Sequence, residues 1–550
     1  MGKLWIGRLY FGCLVLGLIG CEADDVGDSA SKRANANDKA MGSAQGGSSS
    51  ATTGAAVSLP IPEIPIGAGS TTSTGTIFAV SASGGAATTP ASAGVATARG
   101  GSGSGEVGDP AGATEPIDQC ARLDATKPQT LYLSADDSNS MASPTIARSI
   151  INRGGVPPAS LIRTYEFLNY YDLGYERAAT GELAVNLEMA PGDGVGTYAL
   201  QIGVSSEAAA FVRRPMNITF VLDTSGSMGG EPIVRSKAAV KAVAQSLKHG
   251  DIVSAVTWSD TNTIVMNSHV VTGPNDSAIV AMADAMAANG STNLNAGLTT
   301  GYALAQTNFV ADCLNRVVLI SDGQANTGVT DENIIAAGAS LNDGDGIYLV
   351  GVGVGDGVND TLMDTVTDKG RGAYIYLDNV DEAARMFVTR FDESMDVAAR
   401  AVQVKLELPW YLGVARFYGE QLSTNPKAVE PQHLAPNDAM VFDQVLRPCA
   451  AEQFNANDPV SVTTNWLTPT THEPRSNAAS TTLGALMSGT ASHLPKGMAI
   501  VAYAEALKAG ASAAAVAHAR AKVASALALK VDVELQEIDA LLQKLEALAK

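Results

Sequence analysis

The chain has 550 residues, with 36 lysines and arginines against 56 aspartates and glutamates, which gives a formal net charge of −20. Binding to DNA, RNA or an anionic membrane surface needs clustered positive charge, so this balance excludes a general binder of nucleic acid or anionic lipid. Aromatic residues make up only 5% of the chain, and Phe78 is the only one between Glu22 and Cys120. A stretch so poor in large side chains cannot form a packed core.

The first 21 residues have the pattern of an export signal. Lys3 and Arg8 give it a positive start, and Leu9–Leu18 is an apolar run too short for a permanent membrane-spanning helix. No later apolar run reaches the length needed to span a bilayer. A plain secretory signal and an N-terminal membrane helix are the alternatives at this point.

The end of this segment, Leu18-Ile19-Gly20-Cys21, resembles the lipobox of bacterial lipoproteins. The resemblance implies lipid on the Cys21 thiol, cleavage just before it, and a membrane contact made only through that lipid. Glu22 follows the cysteine, which by resemblance to enterobacterial sorting indicates the outer membrane. We therefore expect an exported protein that is lipid-anchored to the cell envelope.

Residues 22–115 are rich in glycine, serine, alanine and threonine, which predicts a flexible linker between the anchor and the folded part. One Pro-spaced interruption, Val57–Gly67, favours a stiffer, extended piece of spacer over a docking motif.

Between residues 215 and 395, apolar runs of strand length alternate with helical patterns. This alternation predicts an α/β domain with a doubly wound, mainly parallel sheet and helices on both faces. Asn217–Asp223 and Arg316–Asp322 are predicted central strands. The runs at 251–259 and 261–271 predict a hairpin that adds an antiparallel edge.

Ligands of such sheets bind at the carboxyl ends of the strands, and the loops there are rich in oxygen-bearing side chains. The side chains concerned are two carboxylates and three hydroxyls, namely Asp223, Ser225, Ser227, Thr292 and Asp322. This Asp-x-Ser-x-Ser motif, with threonine and aspartate following in order, resembles the metal-ion-dependent adhesion site of the von Willebrand factor type A domain. The alternative is that the hydroxyls only cap helices and Asp322 only makes a turn.

Carboxylate and hydroxyl oxygens without thiol or imidazole suit Mg²⁺, or Mn²⁺ in its place, and suit zinc or copper poorly. The resemblance implies direct ligation by the hydroxyls and contact through water for the two aspartates. It also implies an open coordination position for a glutamate or aspartate carboxylate of a partner protein.

An enzymatic role is not expected, because no base or second metal is predicted beside the site. The six histidines are scattered and lie outside the three site loops: His249, His269, His433, His472, His493 and His518. No phosphate-binding glycine motif is present either.

The flanks of the central domain are predicted to belong together. Residues 116–214 combine two helical patterns with two strands, and 396–495 are rich in short alternating runs, which predicts a β-sandwich built from both flanks; separate small domains are the alternative. The N-terminal flank resembles a segment found before the type A domain in a bacterial subgroup, through Pro157, Pro158, Arg163, Glu166, Asn169 and Tyr170.

The C-terminal residues 496–550 are rich in alanine and leucine and predict helices. Leu535, Ile538, Leu542 and Leu545 form a short apolar seam, which we expect to pack on this chain, with a partner helix as the alternative. Cys120 and Cys449 both flank the central domain and are the expected disulfide pair, although the sequence leaves connectivity open. Cys313 is expected to be an inert core thiol.

Together these features predict an envelope lipoprotein that binds a protein partner through a Mg²⁺-dependent adhesion site, with the partner's acidic side chain completing the metal shell. A structural or scaffolding lipoprotein, whose metal site only stabilises the fold, is the alternative.

Overall fold

A computed structural model describes residues 123–136, 139–210, 213–311, 313–325 and 346–548. The signal segment, the linker, Cys21 and Cys120 lie outside these residues. The boundaries of the predicted domains stay predictions.

The strands, in chain order, are β1 (Gln129–Ser134), β2 (Ala184–Pro191), β3 (Tyr198–Ser205), β4 (Met216–Asp223), β5 (Ile252–Trp258), β6 (Asn262–Val270), β7 (Leu314–Ser321), β8 (Tyr348–Val354), β9 (Tyr374–Leu377), β10 (Ala399–Leu408), β11 (Leu412–Phe417), β12 (Gln421–Ser423), β13 (Gln432–Leu434), β14 (Ala439–Pro448), β15 (Pro459–Leu467) and β16 (Pro474–Thr482).

The α-helices of the described residues are α1 (Ala142–Asn152), α2 (Thr164–Tyr170), α3 (Glu231–Ser246), α4 (Ser277–Ala285), α5 (Leu294–Thr307), α6 (Asp360–Lys369), α7 (Val380–Ala384), α8 (Phe391–Met395), α9 (Leu483–Ser488), α10 (Leu494–Lys508), α11 (Ala513–Leu529) and α12 (Val533–Leu548).

The central sheet has the strand order β6-β5-β4-β7-β8-β9. All neighbours pair in parallel except β5 and β6, which form the predicted antiparallel edge hairpin. Strand β4 is buried along its whole length, as expected for a strand covered on both faces. Its alternate side chains pack on opposite faces: Phe220 lies in one core with Val243 of α3, and Val221 lies in another with Leu298 of α5. The predicted fold class is confirmed.

The companion of this sheet is a β-sandwich. One antiparallel sheet has the order β12-β1-β10-β15-β16, with β13 beside β10, and the other has the order β11-β14-β3-β2. Both sheets contain strands from the two flanks, so the alternative of separate small domains is wrong. The core between them is apolar, with Leu133, Ile202, Val404, Phe442 and Val460 all buried.

The C-terminal helices pack on the rest of the chain. Leu535, Ile538, Leu542 and Leu545 of α12 are buried in a core that also contains Ile151 of α1 and Val243 of α3. The apolar seam is therefore used within the chain, and no helix of the described residues combines the length and the apolar character needed to cross a membrane.

The cysteines are only partly described. Cys449 is disulfide-bonded, and its predicted partner Cys120 lies outside the described residues, so this pairing stays a prediction. Cys313 directly precedes β7 and is half-buried, which makes it less enclosed than the core thiol that the sequence predicted.

Candidate metal site

The site begins where β4 ends. Asp223 is the last residue of this buried strand, and both of its carboxylate oxygens accept hydrogen bonds. The Ser225 amide donates to Oδ1 at 2.8 Å, and the Ser321 hydroxyl at the end of the neighbouring β7 donates to Oδ2 at 2.6 Å. The adjacent parallel strands therefore present their polar ends to one another, as the sheet topology requires.

The two serines of the motif lie side by side in the loop that follows. The hydroxyl oxygens of Ser225 and Ser227 are 3.1 Å apart. Ser225 is buried, whereas Ser227 and the intervening Gly226 are exposed. This arrangement gives the site a buried floor and one side that is open to solvent.

The loop before α5 is bonded to the same segment through its backbone. The Gly226 amide donates to the carbonyl of Gly290 at 2.9 Å, and the Asn289 amide donates to the carbonyl of Thr224 at 2.7 Å. These bonds bring the loop that carries Thr292 against the loop that carries the serines. Thr292 itself is 1% exposed.

Asp260 also holds this second loop, a role that the sequence analysis did not assign. Its Oδ1 accepts a hydrogen bond from the Ser291 amide at 3.0 Å and another from the Ser291 hydroxyl. These bonds lower the pKa of the exposed Asp260 carboxyl. The only available signal was that Asp260 lies in the β5–β6 turn, at the same end of the sheet as the site.

Asp322 directly follows β7 and is 2% exposed. Its Oδ1 accepts a hydrogen bond from the Gln324 amide at 3.0 Å, and its carbonyl accepts one from the Asn359 amide at 2.8 Å. Gly323 has φ +67°, and a Cβ there would lie 3.1 Å from the Asn359 carbonyl oxygen. The positive φ and this close approach both favour glycine, and they allow the loop after β7 to meet the loop before α6.

Two buried carboxylates, Asp223 and Asp322, dominate the electrostatics of the site. Burial raises the pKa of Asp223 to about 6, the hydrogen bonds from Ser225 and Ser321 oppose that rise, and the nearby charge of Asp322 adds to it. Within the described residues, neither carboxylate forms an ion pair with a lysine, arginine or histidine. Two adjacent buried carboxylates carry an energetic cost that a bound cation offsets. The oxygen donors present therefore fit a hard divalent ion.

The hydrogen bonds of the site residues bear on the alternative that the hydroxyls only cap helices and Asp322 only makes a turn. Ser225 precedes the 3₁₀ turn Gly226–Met228 but makes no side-chain cap hydrogen bond to it. Helix α5 is capped by Asn293, whose side chain accepts from the Ala296 amide, and not by Thr292. Asp322 does accept a turn hydrogen bond from Gln324. Helix capping thus does not explain the hydroxyls of Ser225 and Thr292.

No histidine stands in the three site loops, and within the described ranges no group of three or more His, Cys, Asp and Glu side chains is placed to hold a metal. Any ion at the strand ends would therefore depend on hydroxyl ligands beside the two carboxylates, as the motif predicts.

Residues 217–390 match the von Willebrand factor type A domain family. The chain therefore contains a von Willebrand factor type A (VWA) domain, and the domain predicted from the sequence is confirmed. Domains of this family commonly bind proteins, and metal-dependent adhesion is one of their established modes.

Two curated relatives are bacterial. "Uncharacterized protein YfbK" of Escherichia coli (strain K12) is 27% identical over 274 residues, which are 47% of this chain and 47% of the relative. "Uncharacterized protein sll0103" of Synechocystis sp. (strain ATCC 27184 / PCC 6803 / Kazusa) is 28% identical over 213 residues, which are 38% of this chain and 49% of the relative. The matched region thus spans about half the length of each relative.

A solved structure titled "von Willebrand factor type A from Catenulispora acidiphila" covers 67% of this chain and 96% of its own length. Its sequence identity is 14% and its TM-score is 0.42.

Proposed function

We propose that this protein is a binding lipoprotein of the cell envelope. In this proposal Asp223, Ser225, Ser227, Thr292 and Asp322 hold Mg²⁺, or Mn²⁺ in its place, and a carboxylate of a partner protein completes the metal shell. The protein is not an enzyme in this proposal.

The observation that carries the proposal is the pair of buried carboxylates without a cationic side chain. Asp223 and Asp322 lie close enough for the charge of one to raise the pKa of the other, and the described residues supply no ion-pair partner. A cation bound here removes that repulsion, and hydroxyl and carboxylate oxygens are ligands that Mg²⁺ accepts.

The open side of the site supports a partner. Asp223 and Ser225 form the buried floor, whereas Ser227 is exposed and gives access from solvent. When bound, the ion supplies a positive charge that attracts a carboxylate at contact. The chain's net charge of −20 repels acidic partners only over a range of about 8–10 Å at physiological salt. Local attraction therefore decides whether the complex forms.

The export and anchoring part of the proposal rests on Met1–Cys21 and on the linker-like composition of residues 22–115. Lipid on Cys21, in the outer membrane by the sorting argument from Glu22, would hold the binding domain away from the bilayer. Replacement of Cys21 by alanine is expected to abolish incorporation of radiolabelled palmitate and to release the protein from the membrane fraction. Retention of label in Cys21→Ala would contradict lipid attachment there.

Metal binding is tested first, by titrating Mg²⁺ and Mn²⁺ into the full chain in a calorimeter. The wild type is expected to bind one ion, and Asp223→Ala and Asp322→Ala none. Asp443→Asn is the matched control, because Asp443 is also a buried carboxylate but lies in the sandwich strand β14. Wild-type protein that takes up no ion would refute the metal site.

Partner binding is tested by cross-linking and pull-down from cell envelopes with wild type and Asp223→Ala, each with Mg²⁺ or EDTA. A protein captured only by the wild type in Mg²⁺ supports the adhesion site, provided that its capture is lost when its own contacting carboxylate is replaced by an amide. Identical capture under all four conditions refutes it. If Mg²⁺ raises only the melting temperature, the structural alternative is correct.

A further inference from the structure

The segment before the VWA domain contains a buried arginine that contacts three carboxylates. Arg163, which directly precedes α2, donates to Asp360 through both terminal nitrogens, at 2.6 Å and 3.1 Å, and its Nε donates to Glu166. Asp364 lies 3.9 Å from the same Nε. Arg163 and Glu166 belong to the flank motif that the sequence analysis noted, and the proposed metal site does not itself use them.

Glu166 fixes this arginine within the flank. It is fully buried, and its second oxygen accepts a hydrogen bond from the Ser143 amide in α1 at 2.6 Å. The two flanking helices and the arginine therefore form one bonded unit. Burial alone would lower the pKa of Arg163, but Glu166, Asp364 and Asp360 outweigh it and keep the guanidinium charged.

On the VWA side, Asp360 is the first residue of α6, immediately after Asn359. The Asn359 amide donates to the carbonyl of Asp322 at 2.8 Å, and the Gln324 side chain donates to the carbonyl of Gly357 at 2.8 Å. The loop that carries Asp322 is thus held against residues 357–359. Residues 357–359 are held in turn by the ion pair between Arg163 and Asp360, the first residue of α6.

We propose that Arg163 is a positioning residue of the metal site: its two-pronged pair with Asp360 fixes residues 357–360, and these residues hold Asp322 in place for the ion. The inference rests on the proposed function, since it assigns Asp322 to a metal shell. It also means that the flank and the VWA domain act as one binding unit, so that a displacement of α1 and α2 weakens metal binding.

Arginine is required in this role because its planar guanidinium reaches both oxygens of Asp360 and still reaches Glu166. A lysine keeps the charge but offers a single compact ammonium group. Arg163→Lys therefore tests the geometry without leaving the carboxylates uncompensated. Asp360→Asn is a second variant of nearly unchanged size, which keeps the test usable if the first variant folds poorly.

The matched control is Arg148→Lys. Arg148 in α1 is also buried and also makes a two-pronged pair, with Asp378 after β9, and it further contacts Glu382 and Glu537. It belongs to the same flank as Arg163, but its contacts do not reach the Asp322 loop. If the variants only loosened the packing of the flank, both would bind Mg²⁺ more weakly. If Arg163 positions Asp322, only the Arg163 variant would bind it more weakly.

The experiment has two readouts on the full chain. Calorimetric Mg²⁺ titration is expected to show a dissociation constant about fivefold to tenfold higher in Arg163→Lys and Asp360→Asn than in the wild type, and unchanged within about twofold in Arg148→Lys. Hydrogen exchange in metal-free buffer is expected to show faster exchange of the Asn359 amide in the first two variants only.

The outcomes separate this inference from the proposed function. If the wild type binds Mg²⁺ and Arg163→Lys binds it equally well, with Asn359 exchange unchanged, the positioning role is refuted and the metal site stands. Equal losses in Arg163→Lys and Arg148→Lys also refute it. If the wild type binds no Mg²⁺, the proposed function fails, and unchanged Asn359 exchange in Arg163→Lys would then refute the mechanical link as well.

Discussion

Buried carboxylates at the two ends of the central sheet differ in whether a cationic side chain pairs with them. At the amino end, Asp251 just before β5 is paired with Arg213, whose two terminal nitrogens donate to its two oxygens. It also accepts from the Met216 amide at 2.9 Å. At the carboxyl end, Asp223 and Asp322 are equally buried but have no cationic side chain as partner within the described residues.

The difference supports the proposal that the carboxyl end of the sheet binds a ligand, whereas the amino end is satisfied within the chain. The Arg213–Asp251 pair is satisfied within the chain and needs nothing from outside. The opposite end has negative charge and hydroxyl oxygens but lacks the positive charge that would balance them. Such an imbalance is typical of sites whose missing charge comes from a ligand.

The largest expected effect comes from breaking the Arg213–Asp251 ion pair at the amino end of the sheet. Arg213→Met leaves Asp251 buried without its partner, and loss of one member of a buried pair costs about 3–5 kcal/mol. We expect urea unfolding to show that loss in the free energy of unfolding. At pH 7 in metal-free buffer, Asp223→Asn should lower it by less than about 1 kcal/mol, because this change removes a repulsion and keeps the side-chain size. A larger loss from Asp223→Asn than from Arg213→Met would contradict the comparison.

Added Mg²⁺ should stabilise the protein only through Asp223 and Asp322 at the carboxyl end of the sheet. At a Mg²⁺ concentration one hundred times the dissociation constant, binding to the folded state raises the free energy of unfolding by about 2.7 kcal/mol. We expect this gain in the wild type and in Arg213→Met, and none in Asp223→Asn or Asp322→Asn. Urea unfolding with and without Mg²⁺, at constant ionic strength, measures it. A gain of equal size in Asp223→Asn would place the ion elsewhere.

The pH dependence of stability should identify Asp223 in the absence of metal. Its folded-state pKa of about 6 is higher than the ordinary value, so the stabilisation it contributes at low pH is lost as the pH rises through 6. Between pH 4 and pH 7 the wild type should therefore lose about 1–3 kcal/mol more than Asp223→Asn. Urea unfolding at several pH values gives the comparison.

The same experiment has an internal control. Burial also raises the pKa of Glu166, Asp438 and Asp443, each to about 7, and these groups are present in both proteins. The difference between the two pH profiles therefore isolates Asp223. Identical profiles would show that its carboxyl titrates normally.

The smallest effect is expected from Asp260→Ala. This change removes the acceptor that holds Ser291, but the backbone bonds from Gly226 to Gly290 and from Asn289 to Thr224 remain. The Mg²⁺ dissociation constant should rise by about twofold to threefold. Calorimetry measures this, and Asp284→Ala is a control, since Asp284 is another exposed aspartate of the same domain that pairs with Lys241 away from the site loops. A loss as large as that of Asp223→Ala would make Asp260 part of the metal shell.

The sequence was sufficient to predict the central domain because its signals are local. Strand β4 is a mainly apolar run that leads into the motif from Asp223 to Ser227. Helix α3 follows, with apolar residues repeated at helical spacing. The candidate site residues could be proposed for the same reason, since each stands at the end of a strand or in a loop between a strand and the following helix.

The parts that were missed depend on contacts between distant residues. Strand β16 was not predicted, because its small polar residues are half-exposed at a sheet edge and show no apolar alternation. The pair of Arg163 with Asp360 joins residues 197 positions apart, and no local pattern shows which acid an arginine will meet. The role of Asp260 was missed because it depends on a loop formed 31 residues later.

The interleaved sandwich has a consequence for the order of folding. Strand β1 lies between β10 and β12, and Ser134 at its end accepts a hydrogen bond from Gln432, 298 residues later in the chain. During synthesis, β1 and the β2–β3 hairpin emerge long before β10, β12 and β14, which pair with β1 and β3, whereas the VWA domain is complete once its contiguous residues have been made. We expect a nascent or truncated chain that stops near residue 396 to hold a folded VWA domain beside an unpaired β1 and an open edge of β3, both prone to aggregate. Only the later synthesis of β10, β12 and β14 would cover these edges and lower the tendency to aggregate.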